Sequence, residues 1–137
     1  NAKGGLKIIA HRKESDGKEQ DWDKHSSNVA ILCFLTAEKL GLGKLAKLMG
    51  LLHDFGKGTA DFQNYLRGAG SRHHNHAGLG ALYVHRHWWQ REAAKERRQT
   101  AQLISLCIYG HHAGLPDCLT ASGRSPYLDG LREQPEN

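Results

Sequence analysis

The sequence predicts an all-α protein. Two observations carry that expectation. Apolar residues recur at helical spacing in window after window, and no stretch alternates apolar with polar residues as a half-buried strand would. The windows are also punctuated as helices are, by an aspartate where one begins and by glycine where others end.

Residues 1–20 are polar, with Leu6, Ile8 and Ile9 as the one apolar patch, and read as a flexible, weakly strand-like lead-in. Asp21 or Asp23 can cap the helix that follows. Residues 29–35 are almost wholly apolar, which predicts a helix buried on most sides up to Leu40. Gly41-Leu42-Gly43 interrupts it, and a second helix begins near Lys44. Its Leu45, Leu48, Met49, Leu52 and Phe55 share one face, so this helix delivers His53 and Asp54 at its end. Gly56 suits a helix stop in the left-handed conformation, with Lys57 projecting back over the end.

A short helix over residues 59–66 would turn Phe62, Tyr65 and Leu66 inward, and residues 68–74 read as a mobile glycine-rich loop. A long helix is expected over 76–98, with His76, Leu79, Gly80, Tyr83 and His87 on one stripe and His85 facing solvent. Another over 101–109 runs into Gly110-His111-His112. Residues 117–137 read as a loop-rich tail, and the whole of 1–137 as one domain.

Composition narrows the function classes. The 39% apolar and 24% charged fractions are those of a globular protein, and no apolar run approaches the roughly 18 residues of a membrane span. Cys33, Cys107 and Cys118 form no CxxC pair, and two of them sit inside apolar helical runs, which suits buried thiols in a reducing cytoplasm. A net charge of +5 permits a nucleic-acid partner. Ten histidines are the anomaly, and they point to metal or acid-base chemistry.

His25, His53-Asp54, His76 and His111-His112 all stand at or near predicted helix ends, where side chains from different helices can converge. So many imidazoles around one carboxylate exceed the needs of a single ion. They suit two metals roughly 3.5–4 Å apart with Asp54 bridging. The nitrogen-rich set favours Mn, Fe, Co or Ni, with Mg possible. The spacing is not that of a structural zinc site. Hydrolysis of a phosphodiester is chemistry that fits such a centre, and in it Lys57 would stabilise charge growing on the phosphate oxygens.

These strings resemble the HD phosphohydrolase superfamily and, more narrowly, the HD nuclease domain of the type I CRISPR helicase-nuclease. Asp23-Lys24-His25-Ser26-Ser27 resembles that family's first histidine, and His53-Asp54-Phe55-Gly56-Lys57 its signature, with Phe62-Gln63 at the family's distance. His76-Ala77-Gly78-Leu79-Gly80-Ala81 resembles its third motif, and Gly110-His111-His112-Ala113-Gly114-Leu115-Pro116 its fourth. The resemblance implies an HD-domain helical bundle in which His25, His53 and Asp54 hold one metal. It implies that Asp54, His76, His111 and His112 hold the second. It further implies single-stranded DNA as substrate, a helicase domain or subunit, and an RNA-guided CRISPR surveillance complex as partners, with no membrane. The family's later aspartate has no counterpart. Asp117 follows His112 too closely and Asp129 lies in the tail, so either the chain stops short of that ligand or this protein departs from the pattern.

Two other readings compete. A phosphohydrolase of small nucleotides, a dNTP or cyclic nucleotide, would need a closed base-reading pocket. A catalytically silent binding module would keep metals for structure alone. The basic stretch Arg86, Arg91, Lys95, Arg97 and Arg98 with Trp88 and Trp89 could contact DNA. A solvated helix face with Glu92 and Glu96 as ion-pair partners is the favoured account. His73 and His74 are the alternatives to His76.

Overall fold

The computed structural model describes residues 7–70 and 75–134. The expected mobile loop falls largely outside them, and so do His73 and His74. The chain divides into two compact units. One holds the residues up to Gly50 together with the segment beginning at Lys57. The other holds Leu51–Gly56 together with the residues from Asn75 onward.

The first unit opens with a hairpin that the sequence only hinted at. Strand β1 (Ile9–Arg12) pairs antiparallel with β2 (Glu19–Asp21), Ile9 opposite Asp21 and His11 opposite Gln20. The register shift between Ile9 and His11 makes Ala10 an extra residue on its strand. A bulge of this kind breaks the strand's alternation, and Ile9 and Ala10 are both fully buried in succession. Helix α1 (Trp22–Ala37) starts on Asp21, whose carboxylate accepts from the backbone N–H of Asp23 and Lys24, as expected of a capping aspartate.

The expectation that this helix is buried on most sides is not met. Ser26 and Ala30 face inward, whereas Ile31, Leu32 and Leu35 are exposed, Leu32 to 64%. An apolar run reports hydropathy, not which face finds a neighbour. Contact with helix α2 (Gly43–Leu52) is made through small residues: a Cβ on Gly50 would stand 2.7 Å from the Cα of Ala30.

Helix α3 (Ala60–Leu66) starts on Thr59, whose hydroxyl accepts from the Phe62 N–H. Phe62 is buried as expected, and so is Gln63 beside it. The Gln63 amide oxygen accepts from the Ile9 N–H at 3.0 Å, and its nitrogen donates at 2.8 Å to each of the carbonyls of Ile9 and Lys57. Gln63→Glu keeps the acceptor but sets a second oxygen against two carbonyls. We expect it to destabilise the first unit by about 1–3 kcal/mol for each carbonyl left without a donor, read as a lowered urea midpoint.

The second unit packs helix α4 (His76–Val84) against α5 (Lys95–Gly110) and α6 (Pro126–Arg132). Tyr127 on α6 donates to Ser105 at 2.6 Å, and Ser105 donates to the Ala81 carbonyl at 2.8 Å, so one hydrogen-bonded chain links all three helices. The tail is therefore more than loop, since Ser125 caps α6 and Tyr127 and Leu131 are buried.

The single helix expected over 76–98 is instead two. After Val84 the chain passes through a π-helical turn, His85–Trp89, and breaks before α5. Glu92 explains the restart: its carboxylate accepts from the Ala94 N–H at 3.0 Å and pairs with Arg97 at 2.9 Å. A side chain bonding nearby backbone competes with helix continuation. The same bonds, the backbone one foremost, hold the Glu92 carboxyl below its usual range.

His85 is buried and stacks on Trp89, with ring centroids 4.5 Å apart, rather than facing solvent. Burial, and then the nearby Arg86 charge, lower its pKa from the ordinary 6.5. The unfolded chain therefore binds a proton at His85 at a higher pH than the folded chain does. The stability His85 contributes is complete above pH 6.5 and is lost as pH falls through the lower folded value. Wild type and His85→Phe should differ by a constant amount above that pH, and wild type should lose stability faster below it. Among the described residues, no helix is long and apolar enough to cross a membrane.

Candidate metal centre

Helix α2 ends at Leu52, and His53 and Asp54 occupy the turn that follows, ahead of a 3-10 turn over Phe55–Gly58. Gly56 stands where a helix stop was expected but not for the expected reason, since its φ is not positive. A Cβ there would collide with the carbonyl of His76, whose C and Cα lie only 2.8 and 2.9 Å away. A Cβ on Gly80, one helical turn further along α4, would stand 3.2 Å from the Ile108 methyl and 3.5 Å from the Gly56 nitrogen. These two glycines let α4 lie directly on the His53-Asp54 turn. Asn75 caps that helix by accepting from the Gly78 N–H at 2.9 Å, which fixes His76 at its first position.

His111 and His112 follow α5 in a tight turn. The Gly114 N–H returns to the Gly110 carbonyl at 2.8 Å, with Gly114 itself left-handed at φ 85°.

Asp54 is the focus. Only 2% of it is exposed, and its carboxylate faces imidazoles on both sides. Oδ1 lies 3.2 Å from His76 Nε2 and 3.8 Å from His111 Nε2, and Oδ2 lies 3.2 Å from His53 Nε2. His112 Nε2 meets His76 Nε2 at 2.9 Å. Two ring nitrogens this close need a proton between them or a cation beside both. Asp54, His76, His111 and His112 each offer a ligand atom within 4.8 Å of the others. One carboxylate and three imidazoles are a donor set for a borderline divalent metal, so the residues fit such an ion.

The protonation pattern agrees. His111 Nδ1 lies 2.6 Å from the Ile108 carbonyl, so Nδ1–H donates and the Nε2 lone pair is left toward Asp54. Burial is the main influence lowering the His111 pKa; the Ile108 hydrogen bond and Asp54 oppose it, and the neighbouring His76 and His53 add to it. The neutral form so favoured is the one that binds metal.

Five of the predicted residues are thus gathered in the second unit: His53, Asp54, His76, His111 and His112. His25 and Lys57 belong to the first unit, where both meet a residue that the sequence left uninformative. His11 lies edge-on to His25 with ring centroids 5.0 Å apart, and its Nε2 is 3.3 Å from Lys57 Nζ. His11 had no signal of its own, because it precedes every motif. Asp129 does sit on a helix, α6, but Arg124 and Arg132 hold its carboxylate at 3.1 and 3.3 Å. Arg97 pairs with Glu92, and Arg98 lies 4.7 Å over the Trp89 ring, in keeping with the solvated-face account of the basic stretch.

The family model described as "HD domain" matches residues 22–122. The chain belongs to the HD-domain family. Its Asp54 centre is accordingly that of a family of generally metal-dependent hydrolases, and the HD domain here covers both compact units in part. Among curated relatives, the chain is 38% identical over 80 residues to the CRISPR-associated nuclease/helicase Cas3 of Haloferax volcanii, covering 54% of this chain and 8% of that protein. It is 45% identical over 53 residues to Ribonuclease Y of Geobacter metallireducens and of Geobacter sulfurreducens, covering 38% of this chain and 10% of each. The chain spans a tenth or less of the length of these relatives.

Proposed function

We propose that this HD domain is a metal-dependent nuclease that hydrolyses phosphodiester bonds of single-stranded DNA in CRISPR interference, with a helicase and an RNA-guided surveillance complex as its partners. The observation that carries the reading is the two-sided environment of Asp54. One oxygen faces His76 and His111, and the other faces His53. That arrangement supports a bridging carboxylate between two divalent ions. Asp54, His76, His111 and His112 would hold one ion, and His53 and Asp54 would contribute to the other, to which the motif resemblance adds His25. Bound divalent ions supply Lewis acidity toward a phosphate oxygen and lower the pKa of a coordinated water.

The chain's own residues do the rest. The buried Asp54 charge and the neutral imidazoles shape the site, and the Ile108 carbonyl orients His111. Lys57, three residues after Asp54, supplies a cation to the non-bridging phosphate oxygens as negative charge grows on them. The similarity to Cas3 supports the DNA reading. The similarity to Ribonuclease Y favours a second one, cleavage of RNA by the same centre.

The test is cleavage of circular single-stranded DNA, with a circular RNA of matched sequence, dNTPs and a cyclic nucleotide in parallel. Mn, Co, Ni, Fe and Mg are each supplied, metal content is measured, and Asp54→Ala is the control. Metal-dependent nicking of the DNA circle that vanishes in Asp54→Ala is the expected result. RNA cleavage alone moves the assignment to the ribonuclease reading, and nucleotide hydrolysis alone to the small-nucleotide one. Metal that raises the melting temperature with no turnover of any substrate leaves the silent binding module.

A further inference from the structure

The first unit holds a polar arrangement that the metal centre does not explain. Gln63, buried to 1% exposure, ties the Ile9 backbone and the Lys57 carbonyl together with three hydrogen bonds. One side chain therefore sets the separation between the hairpin and the Lys57 turn. The bulge at Ala10 then decides which way the next residue points, as bulges beside functional sites do. That residue is His11, whose Nε2 stands 3.3 Å from the ammonium of Lys57. An ammonium donates and cannot accept, so Nε2 is the acceptor of this bond and the His11 ring proton sits on Nδ1. Lys57 is itself only 3% exposed, while His11 is exposed.

We propose that His11 is a positioning residue for Lys57, accepting a hydrogen bond from its ammonium and holding it where it meets the substrate phosphate. The proposal rests on the phosphodiesterase reading, through Lys57. His11 precedes residues 22–122, so the family match does not assign it. The physical need is plain. A lysine carries a flexible four-carbon stem, and a misplacement of about 1 Å in a reacting site can cost on the order of 10²-fold in rate.

The experiment compares steady-state cleavage by wild type, His11→Ala, His11→Gln, Lys57→Ala and the double variant His11→Ala/Lys57→Ala. We expect His11→Ala to lower kcat about tenfold with KM within about twofold, the mark of an interaction used in the transition state. His11→Gln should recover most of the rate, because its amide oxygen can accept in place of Nε2. The double variant should be no slower than Lys57→Ala, because the two residues act as one unit. Losses that multiply in the double variant, or a His11→Gln as slow as His11→Ala, overturn the proposal.

A readout independent of turnover is the 15N spectrum of the His11 ring. It should report Nδ1–H with a hydrogen-bonded Nε2, and Lys57→Met should shift the Nε2 resonance. An unmoved Nε2 resonance also overturns the pairing. If wild type cleaves nothing, the nuclease reading has failed, and the ring spectrum still decides the pairing.

Discussion

Asp54→Asn is expected to strip the centre of metal and to lower phosphodiester cleavage by roughly 10²–10³-fold or more, the scale on which charge-stabilising groups act. The substitution is nearly isosteric, so helical content should persist. What changes is charge: the one carboxylate facing His53, His76 and His111 becomes a neutral amide, whose nitrogen adds donors on one side. The three imidazoles would then have no anion to balance a divalent cation. Elemental analysis and circular dichroism on the same preparation separate the effects. Lost metal with an unchanged helical signal is the expected pair, and retained metal with retained cleavage would place the chemistry elsewhere.

Gly56→Ala should be nearly as damaging without touching a ligand. The added methyl would run into the His76 carbonyl, backbone that cannot step aside as a flexible side chain would. Overpacking of this kind costs about 1–3 kcal/mol, occasionally more, a fall in Tm of roughly 3–10 °C for a chain of this size. Because the obstruction lies at the first residue of α4, His76 should be displaced from Asp54 and metal affinity should fall more than stability. Gly58→Ala is the internal control. A Cβ at Gly58 meets nothing within 4 Å and its φ is not positive, so stability and metal binding should both stay near wild type.

What could be read in the sequence was whatever had a short-range cause. The Asp21 cap is a set of local hydrogen bonds between a side chain and the next turn, and it is present. The histidines gathered around Asp54 stood out as candidates because metal ligands need particular atoms, and few residue types have them. Gly56 was recognised for the wrong property: the sequence suggested backbone freedom, whereas the structure needs the absence of a side chain beside His76.

The failures turn on which partner a polar side chain takes, and that partner is distant in one case and near in the others. Gln63 is buried because Ile9, 54 residues earlier, brings a carbonyl and an N–H to its amide. His85 carries the same imidazole as the candidate ligands, yet stacks on Trp89. The break before α5 falls among good helix formers, and the Glu92 carboxylate bonded to Ala94 accounts for it. No window of sequence reveals which of these polar groups will find its partner at home and which across the unit.

The turn over His85–Trp89 has a consequence for how this segment tolerates changes in length. Its Gln90 N–H bonds back five residues, to His85, so the coil there carries one residue more than an α-helix would. Removing one residue from between His85 and Trp89 should relax the turn to regular α-helical winding. The widened turn holds the surplus residue within itself, so the winding of α4 before it would keep its phase. The two rings would fall three apart instead of four, still neighbours on a helix surface but in a different stack. The turn is thus the place where this segment can absorb a one-residue change in length.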